Sequence, residues 1–137
     1  MNRSTSMLSR LSLIAAIVLL ASATDAAAPQ AKVTPVMIQA LPDFPGKEAV
    51  MITVEYPPGA VDPVHRHDAD AFVYVLEGAI VMQVKGGEPM TLSAGQSFYE
   101  APGDIHTVGR NASQTEPAKF LVVLLKDKKA SLLTLVK

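Results

Sequence analysis

Three histidines are the residues whose type and spacing could support chemistry. His65 and His67 lie two positions apart in the stretch Gly59 to Gly78 (G-A-V-D-P-V-H-R-H-D-A-D-A-F-V-Y-V-L-E-G), and His106 follows in Ala-Pro-Gly-Asp-Ile-His. The chain has no cysteine, so these imidazoles head a short list of transition-metal ligands. In an extended chain, residues two apart project to the same face. His65 and His67 then point together and Arg66 points away. Imidazole pairs on one face suit Zn, Fe, Mn, Ni or Cu, and His106 is the remaining histidine that could complete a set. On spacing alone, His-x-His beside turns reads equally well as two polar loop residues.

The elements that must position these histidines are strands. Pro35–Ala40 is a plausible first strand, and Leu41 to Gly46 a loop with two prolines and a glycine. Lys47–Tyr56 (K-E-A-V-M-I-T-V-E-Y) is rich in β-branched and large apolar residues. Asp62-Pro63 keeps the next piece extended, because a residue before proline avoids the helical region. Strands are expected at Phe72–Leu76, Ala79–Lys85, Pro89–Leu92, Ser97–Tyr99, Ile105–Gly109, Phe120–Leu125 and Leu132–Val136. Arg110 to Pro117 reads as polar loop. Gly86-Gly87 marks a hairpin. No window after residue 30 carries a capped helical stripe. Many short strands separated by turn signals predict an all-β sandwich or barrel.

The motifs then extend the reading. Gly59, His65-x-His67, Tyr74-Val75-Leu76-Glu77-Gly78, Gly95, Pro102-Gly103-x-x-His106 and Asn111 resemble the two sequence motifs of the cupin superfamily, over roughly residues 45–125. The resemblance implies a double-stranded β-helix, or jelly roll, as one domain over 35–137. It also implies a metal in the barrel mouth, with His65, His67 and His106 as ligands. Small departures occur in the second motif, where the proline sits beside the glycine and Asn111 is one place late.

One departure touches the site. The family's first motif carries a glutamate seven positions before its closing glycine, and that position here is Ala71. Alternation from His67 turns Ala69, Ala71 and Val73 inward and Asp68 and Asp70 outward. Asp70 would reach a metal only through a β-bulge. Without it the site has three histidines and open positions, and the divalent charge is not offset by a carboxylate. An electrophilic ion of that kind favours water, dioxygen or an anionic substrate oxygen. The same loss equally suits a retired site. Tyr74 is expected on the face away from His67, Gln83 on either face, and Glu100 shares parity with His106 only if the Pro-Gly turn leaves the alternation unbroken.

Two functions from different classes follow. The resemblance implies a metal-dependent oxygenase, isomerase or decarboxylase acting on a small organic molecule, dioxygenase-like chemistry being the leading form. The other is a non-catalytic cupin that binds or senses a metal or small ligand. No carboxylate pair and no nucleophile with a positioned base is evident, so chemistry would rest on the metal.

Composition bounds partners and location. Residues 1–10 carry Arg3 and Arg10 without an acid, Leu11–Leu20 is nearly unbroken apolar, and small residues follow. This is the pattern of a secretory signal peptide over residues 1–23, with cleavage as late as residue 28. An uncleaved anchor is the alternative, although the apolar run is short of the roughly 20 residues a span needs. Export to a periplasm or beyond is expected, with no membrane attachment after cleavage. Residues 24–34 read as a flexible lead-in. Removing Arg3 and Arg10 from 12 basic residues leaves 10 against 13 acidic ones, which argues against a nucleic-acid partner. Stability in a cysteine-free exported chain comes from the core. The terminal strands would be sheet edges that need cover, and proteins resembling this one often dimerise through such edges, so a homodimer is expected.

Overall fold

A computed structural model describes residues 27–137. The signal peptide expected over residues 1–23 lies outside them. Ten strands and no helix occur among the described residues. They are β1 (Lys32–Ala40), β2 (Lys47–Tyr56), β3 (His65–Arg66), β4 (Ala69–Glu77), β5 (Ala79–Val84), β6 (Met90–Ser93), β7 (Ser97–Glu100), β8 (Ile105–Asn111), β9 (Ala118–Asp127) and β10 (Thr134–Leu135). They form two five-stranded antiparallel sheets, ordered β1-β2-β9-β4-β7 and β10-β3-β8-β5-β6. The expected all-β jelly roll is what the chain forms.

Period-2 alternation builds the core. Val50, Ile52, Val54 and Tyr56 of β2 turn inward, as do Ala69, Ala71, Val73 and Val75 of β4 and Phe120, Val122 and Leu124 of β9. Ile80, Met82 and Leu92 answer them from the second sheet. Each inner row is apolar, and that of β2 is mostly β-branched, which suits a pleated surface buried on one side.

Several boundaries differ from the sequence expectation. β1 begins at Lys32, so residues 32–34 belong to the ladder rather than to a lead-in; Val33 pairs with Val54 and Lys32 with Glu55. β8 runs on to Asn111, because Arg110 and Asn111 pair with Val81 and Ile80. The last strand is only Thr134–Leu135, paired with β3. The turn after β4 demands its glycine: Gly78 has φ +70, and a Cβ there would lie 2.6 Å from the Pro117 carbonyl oxygen. The positive φ favours glycine and the close approach leaves no room for a Cβ.

β1 stands apart from the rest of the fold. All nine of its residues are exposed, although they pair along β2. Val33, Pro35 and Ile38 share a face with the core residues Val54, Ile52 and Val50, yet Ile38 is 64% exposed. The apolar face of that strand is left largely exposed.

Candidate metal centre

The three histidines meet at one end of the sandwich, as the ladder requires. β3 pairs with β8 so that His65 lies directly opposite His106, on the same face. Their rings are 4.8 Å apart by centroid, and those of His65 and His67 are 4.9 Å apart. His65 and His106 are buried, and His67 is half-buried. All three line a cavity of about 130 Å³. Most of its other walls are apolar, including Ile52, Val54, Val73, Met82 and Phe120, with Val33 and Leu133 among the other residues lining it.

Backbone carbonyls set the tautomers. His65 Nδ1 is 2.8 Å from the Pro63 oxygen, and His67 Nδ1 donates to the Leu132 oxygen. An N–H committed at Nδ1 leaves the lone pair on Nε2, the arrangement that orients imidazole ligands. His106 Nδ1 lies 3.3 Å from His65 Nε2, and its own Nε2 is buried without a partner. Burial, and then the neighbouring His65 and His67, push the His106 pKa down to about 4. Burial also holds His67 below its ordinary value. Both rings are therefore held towards the neutral form that ligates metal.

Two groups that the sequence reading left out, and one that it left open, share the cavity. Tyr56 ends the inward row of β2, and its hydroxyl donates to Asp62 Oδ2. Burial raises the pKa of both. The signal for Tyr56 was present in the alternation from Val50, whereas nothing local marked Asp62. Glu100 is 3% exposed, its Oε1 is 3.5 Å from His106 Nδ1, and its Oε2 has no partner. Burial, then the charges of Asp104 and Asp62, raise its pKa to about 7. With His106 neutral and Glu100 protonated over much of the range below 7, the contact is not an ion pair.

Gly109 makes room for this cluster. A Cβ there would lie 3.1 Å from both His106 Cε1 and Asp62 Oδ2 and 3.2 Å from the Tyr56 hydroxyl. Asn111, two residues further along the same strand, fastens the loops behind the site. Its amide nitrogen lies 2.8 Å from the Glu116 oxygen and 3.1 Å from those of Tyr56 and Pro57.

Asp70 does not join the site. The β4–β9 register is unbroken from Ala69 to Val75, so the bulge that would turn Asp70 inward is absent there. Its carboxylate instead accepts a 2.6 Å hydrogen bond from Tyr99 on the outer face. Tyr74 is likewise outside, and Gln83 donates to the Gly87 oxygen in the β5–β6 hairpin.

The donor set suits a divalent transition ion in kind: three imidazoles, two of them with Nδ1 committed to backbone carbonyls, an unpartnered buried nitrogen on His106 and an unpartnered buried carboxyl oxygen on Glu100. It is not drawn together as the rings stand. Among the described residues no group of three His, Asp or Glu side chains has its donors placed to share one ion. Loading an ion requires the His65–His106 contact to open.

Known proteins place the fold. An uncharacterized conserved protein with a double-stranded β-helix domain from Klebsiella pneumoniae subsp. pneumoniae MGH 78578 is similar at 20% identity and TM-score 0.62, over 79% of this chain and 85% of that one. The protein TT1209 from Thermus thermophilus is 28% identical, with TM-score 0.56 over 71% and 84% of the two chains. The DMSP lyase DddQ from Ruegeria pomeroyi DSS-3 is 24% identical with TM-score 0.58; the match covers 64% of this chain but only 43% of the lyase. No curated protein matches the sequence. The family model described as "Cupin domain" matches residues 52–124, more than half of the chain, and the chain belongs to the cupins.

Proposed function

We propose that this chain is an exported, metal-dependent cupin that acts on a small organic molecule. His65, His67 and His106 would hold a divalent transition ion, one of Fe, Mn, Ni, Cu or Zn. The observation that carries the reading is the pair of carbonyl-anchored rings, His65 on Pro63 and His67 on Leu132, sharing one apolar cavity with the unpartnered nitrogen of His106. A bound ion would supply Lewis acidity and, if redox-active, dioxygen chemistry. The chain's residues do the rest. The apolar walls exclude water and select a small ligand. Among the described residues no lysine or arginine lines the cavity, so an anionic group would find its positive partner at the ion. Dioxygenase-like oxidation is the leading reaction class, ahead of isomerisation or decarboxylation.

Metal analysis of untagged protein tests this. Stoichiometric metal, lost in His65→Ala and in His106→Ala, supports the reading. Failure to bind any of the five ions after reconstitution overturns it. The second reading, a non-catalytic ligand-binding or sensing cupin, is favoured by the His65–His106 contact, which uses donor capacity that an ion would need. Metal bound at full occupancy with no turnover of any substrate class would select it.

Assembly is proposed on the same footing. The exposed apolar face of β1, with Val33 and Ile38, together with Leu133 just before β10 and Leu135 within it, suits burial against a second copy of this chain. A homodimer is expected by light scattering; a monomer at high protein concentration refutes it.

A further inference from the structure

The position where this chain lacks a carboxylate, Ala71, is paired directly with Glu100 across the β4–β7 ladder. Directly opposed residues on adjacent antiparallel strands project to the same face with their Cβ atoms about 4.5–5.5 Å apart. Ala71 is fully buried and contributes only a methyl group, which leaves space beside it for a longer side chain from the next strand. Glu100 fills that space: it is 3% exposed, lines the histidine cavity, reaches His106 with Oε1 and leaves Oε2 without any partner.

A buried carboxyl oxygen without a partner is costly and calls for an explanation. The other carboxylate in the cavity is not equivalent, because Asp62 Oδ2 already accepts the Tyr56 hydroxyl. Asp70 is turned outward and held by Tyr99. Among the described residues Glu100 is thus the carboxyl group in this cavity with a fully buried oxygen that has no partner.

We propose that Glu100 is the fourth protein ligand of the metal centre, supplied from β7 in place of a residue at position 71. This rests on the three-histidine reading above and deepens it. The centre then carries three imidazoles and one carboxylate, which offsets one of the two positive charges of the ion. That differs from the fully uncompensated dication expected from the sequence.

Zn2+ binding to metal-free protein by calorimetry tests the proposal. Zinc binds N/O sites strongly among the divalent first-row ions and serves as the probe. The wild-type chain is expected to take one Zn2+, and His106→Ala to lose it. Glu100→Gln preserves shape and is expected to weaken binding by more than about 100-fold, beyond the roughly 10–100-fold typical of residues that only orient a ligand. Adding Ala71→Glu to Glu100→Gln restores a carboxylate from the neighbouring strand and is expected to recover at least about tenfold of that loss. A Glu100→Gln affinity within tenfold of wild type overturns the ligand role and leaves the three-histidine reading standing. No Zn2+ uptake by wild type overturns both. If Glu100→Gln fails to fold, a crystal structure of the Zn2+-loaded wild type decides the matter. A Glu100 oxygen about 2.0–2.2 Å from the ion supports the proposal, and its absence from the coordination shell overturns it.

Discussion

Replacing Glu100 with glutamine should make the metal-free protein more stable at alkaline pH. Glu100 is held at a pKa of about 7, against an ordinary 4.5, chiefly by burial. A raised acid pKa means that the folded state keeps a proton which the unfolded chain has released. The stabilisation is complete below pH 4.5 and is lost as pH rises through 7. Between pH 4 and pH 8 this one group costs the wild type about 3 kcal/mol, because each pH unit between the unfolded and folded pKa values contributes about 1.4 kcal/mol. Glutamine mimics the protonated carboxyl and does not ionise. His106 titrates in the opposite sense: its pKa is lowered from 6.5 to about 4, so its contribution grows as pH rises through that window. It is present in both proteins, so most of its contribution drops out of their difference. Urea unfolding with chelator, from pH 4 to pH 8, measures that difference. The variant should match wild type near pH 4 within about 1 kcal/mol and exceed it by about 3 kcal/mol at pH 8. A difference that does not change with pH refutes the reasoning, because the buried carboxyl would then not be the group that titrates. Zn2+ at a hundredfold excess over its Kd should add about 2.7 kcal/mol to wild type and narrow or reverse the gap at pH 8.

Two further substitutions examine the surroundings of the site. Asn111→Ala should cost about 2–4 kcal/mol in chemical denaturation, since the carbonyls of Tyr56, Pro57 and Glu116 lose a buried donor; a loss below about 1 kcal/mol would mean that water replaces the amide. Gly109→Ala should reduce stability by about 1–3 kcal/mol and weaken Zn2+ binding by about tenfold or more, because the new methyl displaces His106 and Asp62. Unchanged zinc affinity would show that those side chains adjust without moving the donors.

Much of the site was legible because it is local. His65 and His67 share a face through the period of the strand, and Asp70 was assigned outward from the same alternation. The facing of β4 followed, including Tyr74. Glu100 was not legible. Its parity relative to His106 had to be counted through Ala101 to Asp104, a tight turn with Gly103 at φ +82, where period-2 counting breaks down. Asp62 was missed because it lies outside any named strand; it connects instead to β8, donating its backbone N–H to the Gly109 oxygen.

The sequence by itself determined the strand-rich class, the cupin motifs with their three histidines, and the inward row of β4. These depend on side-chain alternation and turn chemistry, which act over a few residues. Only the tertiary structure decided which residues stand beside them. Pairing of β4 with β7 put Glu100 opposite Ala71, and pairing of β3 with β8 put His65 opposite His106. Register between strands is set by the packing of whole faces and by turn geometry, so the carboxylate absent from one strand could be met by its neighbour without any local sign in either.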